Sequence, residues 1–477
     1  MNANEGLVQV AGEGAARLLD EEQGSQRSLL IGLLAGAAVV VLDFFIVLAC
    51  LAPIQQSLSV SQAELQLIVA SYAIANGSFL VVGGRLGDVL GRRRVFLWGV
   101  GLFALASAAC GAAGTGAALI MFRVLQGLAG AMLQPQVLGL LAVNFEPSQR
   151  QRLFGIYAAT LGVAGVMAQL IGGVLVDWLP ADLGWRACFW LSVPVCALSM
   201  FMVGGAKESP AAVSRKIDWL GAALLAICLG SLCSVLTLGR EAQWPAWTLV
   251  ATMVALIAAG ALWWWCSIGK YSGAERIIPV GIMARNRFWL ALAAVLAFYG
   301  GVASFYFVLA LELRLSAHYS ATEVGLLFAW MGTCFVLASM SPRYKAALGQ
   351  RWGAAGLWLL ALGHVIMAIA AAELVGPWQV AGFMASAAFQ GVGLGTLMGP
   401  LMASAVSRVR SEEGSVGGGL AAATQQIGNS LGISVIGFAY FGVGTVNGHH
   451  PWGASLYLVA TLVMLGLALK SIRPPGR

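Results

Sequence analysis

Fourteen apolar stretches, most of them about 20 residues or longer, recur along this chain with polar connections between them. They run at 29–51, 65–84, 95–113, 116–142, 153–176, 187–205, 217–239, 246–268, 288–311, 322–341, 352–371, 377–402, 414–444 and 452–470. Lipid offers a bare backbone no hydrogen-bond partner, so each stretch is predicted to be a spanning helix. The two long ones, 116–142 and 414–444, are expected to tilt or project beyond the bilayer. Only 10% of the 477 residues are charged and 59% are hydrophobic, whereas a soluble chain carries roughly 25% charge. That shortage excludes an ordinary soluble enzyme, a disordered chain and a disulfide scaffold. The expected class is an all-α polytopic membrane protein.

The basic residues test the count through their bias to the cytoplasmic side. With the N-terminus inside, the inner segments hold Arg17, Arg27, Arg85, Arg92, Arg93, Arg94, Arg150, Arg152, Lys207, Arg215, Lys216, Lys270, Arg276, Arg285, Arg287, Arg343, Lys345, Arg351, Arg408, Arg410, Lys470, Arg473 and Arg477. The outer loops hold only Arg186, Arg240 and Arg314, and Arg123 alone lies within a span. Of 27 basic residues, 23 therefore fall on one side, a split hard to keep with a helix missed or added. Both termini are expected in the cytoplasm. The net charge of +7 faces anionic lipid, and nucleic acid is not an expected partner. Trp263, Trp264 and Trp265 at the inner side, with Trp178, Trp185, Trp244, Trp247 and Trp452 at outer ends, read as interfacial belts. No cysteines stand at CxxC spacing, so packing is expected of them and no metal site. The polar first 27 residues show no cleavable signal, and the longest loop, about 269–287, has no core of its own.

A charge at mid-bilayer is a functional hypothesis by default. Asp43 lies in VVVLDFFIVLAC and Arg123 in LIMFRVLQGLAG, neither with an opposite charge three or four residues away. Desolvation disfavours a charged carboxyl, so Asp43 is a candidate for loading and releasing a proton. It is equally open to binding a cationic substrate, or to a structural pair with Arg123. An arginine stays charged and orients or pairs. Glu312, near the outer end of the ninth stretch, and His364, within the eleventh, are weaker candidates for protonation. Each also reads as an ordinary interface residue or interhelical hydrogen-bond partner. Gly162, Gly165, Gly172 and Gly173 around Gln169, and the glycines around Gln425, Gln426 and Asn429, permit close helix approach. Their amides are candidates to line a cavity.

Between the second and third stretches the chain reads GGRLGDVLGRRRVF. Its glycines suit a tight interhelical loop, and Asp88 is placed to cap a helix or pair with an arginine. Gly84, Leu86, Gly87, Asp88, Gly91, Arg92 and Arg93 resemble the signature G-x-L-(A/G)-D-R-x-G-R-(R/K) of the major facilitator superfamily, with Val89 in place of its first arginine. Arg123, Gln126 and Gly127 resemble that family's R-x-x-Q-G motif. Ala168 to Gly173, with Gln169, Gly172 and Gly173, resembles its antiporter motif G-P-x-x-G-G without the Gly-Pro. LDFFIVLACLAP around Asp43, GWRACFWLSVP at Gly184 to Pro194 with Ser192 for the usual asparagine, and TQQIGNSLGISVIG resemble its fourteen-helix drug:proton antiporter branch.

The resemblance covers about 29–470. It implies a cytoplasmic tail (1–28), a six-helix bundle (29–205), a linker with two extra helices (206–287), a second bundle (288–470) and a short tail (471–477). It further implies alternating-access export of amphipathic or cationic small molecules, driven by protons, from the plasma (inner) membrane, by a monomer without cofactor. Gly84, Asp88, Gly91, Arg92 and Arg93 would gate the bundles. Uptake by symport and export of one specific metabolite remain alternatives on the same fold. A membrane-embedded enzyme or sensor lacks a visible catalytic constellation.

Overall fold

The apolar runs fold as helices in the computed structural model, which describes residues 2–205, 208, 218–241, 243–272, 286–311, 313–314, 319–341, 351–372, 374, 376–406 and 414–442. The first eight elements are α1 (Asn2–Ala49), α2 (Leu51–Leu58), α3 (Gln62–Leu90), α4 (Arg92–Gly111), α5 (Gly116–Asn144), α6 (Pro147–Trp178), α7 (Ala181–Trp190) and α8 (Ser192–Val203). Then come α9 (Trp219–Glu241), α10 (Ala246–Ser272), α11 (Asn286–Leu311), α12 (Ala321–Met340), α13 (Trp352–Ala372), α14 (Pro377–Val406) and α15 (Gly414–Gly442).

Twelve stretches among the described residues are long and apolar enough to cross a membrane. They coincide with the first twelve expected spans. The thirteenth is α15, which is long enough but is not one of the twelve; its glycines and amides dilute its apolar content. The fourteenth, 452–470, lies outside the described residues.

Prolines set the interruptions. Pro53 and Pro194 have no N–H to donate to Ala49 and Trp190, and the chain breaks at Cys50 between α1 and α2 and at Leu191 between α7 and α8. The segment expected as a loop, 84–93, is mostly helix. Gly84, Gly87 and Asp88 belong to α3, and the turn narrows to Gly91 with φ +98°. Only that position needs a backbone that favours glycine. One more expectation fails: Trp185 is fully buried against Phe189 and under Arg186, so it packs a core and belongs to no interfacial belt.

Helices α1 to α8 pack on one another, chiefly α3 and α4 on α5 and α1 on α6 and α8. Helices α11 to α15 form a second group, with α14 on α12 and α13 and α11 on α15. The second group repeats the contacts of the first. Ser61 and Glu64 close a capping box on α3, as Ser320 and Glu323 do on α12. Eleven residues after each cap serine, a carbonyl (Tyr72, Met331) receives a glycine of α5 or α14 (Gly127, Gly391), where a Cβ would overlap it.

Two seams join the groups, α3 with α15 and α6 with α12. Gly173 of α6 lies on the Ala321 carbonyl, Gly325 of α12 on that of Gln169, and Gly332 on Val166. Backbones meet this closely in lipid only where small residues let them. The pair α9–α10 packs on itself, with α9 against both α3 and α15. One face of α10, including Leu249, Met253, Leu256, Ile257 and Trp264, is left exposed, apolar enough to meet lipid.

Candidate functional site

Asp43 and Arg123, 80 residues apart, meet in the middle of the first group, and both are fully buried. Arg123 Nη1 donates to Asp43 Oδ2 and, at 2.7 Å, to Gln126 Oε1. Gln126 Nε2 donates to Asp43 Oδ1 at 2.7 Å and to Ser107 Oγ at 2.8 Å. Ser192 Oγ lies 3.5 Å from the same carboxylate oxygen. Arg123 Nε donates to the Ile68 carbonyl at 3.1 Å, and the guanidinium lies 4.3 Å above the Tyr72 ring. The helix repeat explains the cluster: Arg123 and Gln126, three apart on α5, share a face and present fork and amide to one carboxylate of α1.

The pair is thus a charge-assisted network in which both hydrogens of the Gln126 amide are committed. Arg123 Nη2 is buried without a hydrogen-bond partner. The arrangement can hold a proton or a cation's charge in the dry interior of one helix group. Two residues on from Asp43, Phe45 stacks edge-on with Tyr306 of α11 at 5.3 Å, so the site borders the second group.

The other predicted residues disperse. Gln169 Nε2 donates to the Phe45 carbonyl at 2.6 Å, Gly172 lies on Ile46 of α1 and Gly173 on α12. These are close-packing positions. Gln426 of α15 donates to Asn76 Oδ1 at 3.0 Å, while Gln425 is half-buried beside that contact. His364 Nδ1 lies 2.6 Å from the Leu360 carbonyl and 2.9 Å from Gln390 Nε2, with the Phe305 ring edge-on. It joins α13 to α14 and α11 away from Asp43. Glu312 lies outside the described residues.

His364 also has a counterpart. Gly99 of α4 packs on Leu133, and Gly356 of α13 on Leu397; eight residues on stand Ser107 and His364, bonded to Gln126 and Gln390 respectively. In the same alignment DFFIVLA at 43–49 answers SFYFVLA at 304–310. Ser304 then takes the place of Asp43 and Ala387 that of Arg123. The second group repeats the frame without the charges.

Of the residues expected to gate, Arg92 Nη2 pairs with Asp88 at 2.8 Å across the Gly91 turn. Gly84 faces Pro135 of α5. Arg93 reaches the Gly204 carbonyl, and Glu208 accepts from the Arg93 and Arg94 N–H groups at 2.9 and 3.2 Å. These bonds tie the turn to α4 and to the segment after α8, not to the second group. At the other end Asp177 of α6 accepts from the N–H groups of Ala321 and Thr322 at 3.0 and 2.5 Å, which begin α12, with Arg314 at 3.9 Å. Sequence reasoning missed Asp177, Glu208, Asn76 and Ser107. Asn76 and Ser107 read as small polar residues in apolar runs, and only their tertiary partners single them out.

Residues 33–433 match the family model described as Major Facilitator Superfamily. The chain is 32% identical over 429 residues to a probable actinorhodin transporter of Streptomyces coelicolor, covering 88% of this chain and 73% of that one. It is 27% identical to a methylenomycin A resistance protein of Bacillus subtilis, covering 92% and 94%, and 29% identical to the multidrug resistance protein Stp of Mycobacterium tuberculosis, covering 86% and 76%. Among solved structures, a POT family transporter bound to 5-aminolevulinic acid superposes with a TM-score of 0.67 at 13% identity, covering 94% and 97%. The xylose transporter XylE of E. coli does so with 0.61 at 13%, covering 92% and 98%. At such identity these two speak for the fold.

Proposed function

The chain belongs to the Major Facilitator Superfamily as a multi-pass membrane transporter rather than an enzyme, and we propose that it exports amphipathic or cationic small molecules in exchange for protons. The observation that carries this is the fully buried Asp43–Arg123–Gln126 network. A carboxylate held there by two donors and an arginine changes its bonding whenever it takes a proton. A proton on Oδ1 would neutralise the partner of Arg123 and meet the hydrogen that Gln126 donates there, and that redistribution gives the proton a lever on helix packing. The named activities of the relatives, export of or resistance to antibiotics such as actinorhodin, tetracenomycin C, methylenomycin A and puromycin, support the substrate class. Tyr72, Phe45 and Tyr306 beside the charge suit a flat, partly apolar solute.

In this proposal fourteen spans include α15 and 452–470. Residues 29–205 and 288–470 act as two bundles around the site, 206–287 carry the inserted pair, and both termini face the cytoplasm of the inner membrane. A monomer suffices, and the membrane potential adds about 2.3 kcal/mol per charge per roughly 100 mV.

The test uses purified protein in proteoliposomes with an imposed pH gradient and a panel including puromycin and ethidium. Wild type is expected to move at least one of these against its gradient, and Asp43→Asn to retain binding while losing gradient-driven movement. Unchanged export by Asp43→Asn would remove Asp43 as the coupling group. The direction of accumulation in right-side-out against inverted vesicles, under the same imposed gradient, separates uptake from export.

A further inference from the structure

Gln126 is followed by Gly127, and through Gly127 the charge site continues toward the second helix group. Asn76 Nδ2 of α3 donates to the Gly127 carbonyl at 3.3 Å. Asn76 Oδ1 accepts from Gln426 Nε2 of α15 at 3.0 Å, and Gln426 Oε1 accepts from Asn429 Nδ2 at 3.0 Å. All three amides are buried, Asn76 completely. Hydrogen bonds therefore run from the Gly127 carbonyl to the α3–α15 seam, and the α5 main chain joins Gly127 to Gln126 and so to the carboxylate of Asp43.

The surroundings are shaped to this bridge. A Cβ on Gly130 would come within 2.6 Å of Asn76 Nδ2, one on Gly127 within 3.1 Å of the Asn76 N, and one on Gly77 within 3.1 Å of the Gln426 Cβ. Three glycines on two helices thus make room for one asparagine and its partner. An amide in an apolar seam costs free energy unless bonded, and the two Asn76 bonds each span a boundary: α5 to α3, then α3 to α15.

We propose that Asn76 and Gln426 are a positioning pair that transmits the protonation state of the Asp43 site to the seam between the two helix groups. The proposal rests on Asp43 as the coupling group. A proton taken on Asp43 Oδ1 meets the hydrogen that Gln126 Nε2 donates there, and Gln126 turns. Gly127 moves with it, and Asn76 passes the shift to Gln426, whose helix belongs to the other group. Neither residue touches the proton; both set how far its arrival is felt.

The experiment compares Asn76→Ala, Gln426→Ala and the double variant in proteoliposomes, using a substrate that wild type moves. Two fluxes are read: uphill transport driven by a pH gradient, and substrate counterflow with no gradient. Each single variant is expected to lower gradient-driven flux about tenfold while counterflow stays within about twofold, and the double to be no worse than either single, as for residues acting through one contact. Should Asn76→Ala fail to fold, Gln426→Ala carries the comparison alone. Parallel loss of both fluxes, additive effects, or full gradient-driven flux in the variants would overturn the pair. If wild type itself shows counterflow but no response to the gradient, it is the proton-coupled reading of the transporter that fails.

Discussion

Removing one charge from the Asp43–Arg123 pair should harm the fold more than removing both. The two lie fully buried with their bonds directed at one another. Arg123→Ala leaves a carboxylate with no countercharge in a dry interior, a loss of roughly 3–5 kcal/mol for buried pairs broken on one side. Asp43→Asn with Arg123→Gln replaces both by neutral amides that Gln126 and Ser192 are placed to bond. Thermal unfolding in detergent is expected to rank wild type and the double variant above Arg123→Ala. A double variant less stable than the single would show that the pair itself, not the orphaned charge, holds the helices. The two charges were legible in the sequence because each stands alone in an apolar run, and their pairing was one of the alternatives it left open. Nothing local relates residues 80 positions apart, and Arg123 was equally free to face water. Ser107 and Asn76 were invisible for a related reason: a serine or asparagine in a membrane helix gains meaning only from what lies across it.

At the scale of helices, spacing was the reliable signal and interruption the poor one. Periodic apolar runs located every described span to within a few residues, because lipid forces such runs into helix. The segment at 84–93 looked like a loop because it gathers glycines, yet Gly84 and Gly87 serve helix contact, Gly87 lying on Gln136 of α5. Only Gly91, with φ +98°, serves the turn. Composition does not distinguish a glycine that bends the chain from one that admits a neighbour. The difference is testable on the α6–α12 seam. A Cβ at Gly173 would overlap the Ala321 carbonyl, which is backbone and has no rotamer to yield, while Gly230 of α9 has nothing within 4 Å. Gly173→Ala is expected to cost about 1–3 kcal/mol, as for overpacking, and to lower transport. Gly230→Ala is expected to be neutral or to stabilise by up to about 1 kcal/mol, since alanine is the better helix former. Melting in detergent, with flux in the same preparations, checks both. Equal effects at the two sites would mean that the seam repacks freely.

Over the whole molecule, the proposed rocking of the two groups would leave α9 and α10 with a choice of partner, and the contacts point to the first group. Glu208, at the start of the 206–287 linker, accepts from the first N–H groups of α4, and the Gly204 carbonyl just before that linker accepts from Arg93. Near the Gly91 end of α3, Val82 packs with Ala222 of α9 and Leu262 and Cys266 of α10. Toward α15 the polar contact is slighter: Cys233 Sγ lies 3.5 Å from Ser430 Oγ, which also donates to the Ala70 carbonyl of α3. If α9 rides with α3, the Cys233–Ser430 contact is the one that must part as the groups move. Ser430→Cys places a thiol opposite the native Cys233 close enough for a disulfide to be tried. Oxidation of this variant in membrane vesicles is expected to cross-link α9 to α15 and stop transport, with dithiothreitol restoring it, and the same variant with Cys233→Ala sets the baseline. A second variant, Val82→Cys with Ala222→Cys, is expected to tolerate its cross-link with transport intact. Arrest by the second bond and not the first would assign the insert to the other group. A disulfide from Cys233 that forms in the Ser430→Cys variant without slowing flux would mean that α9 and α15 travel together, and the seam that opens must then lie between α9 and α3.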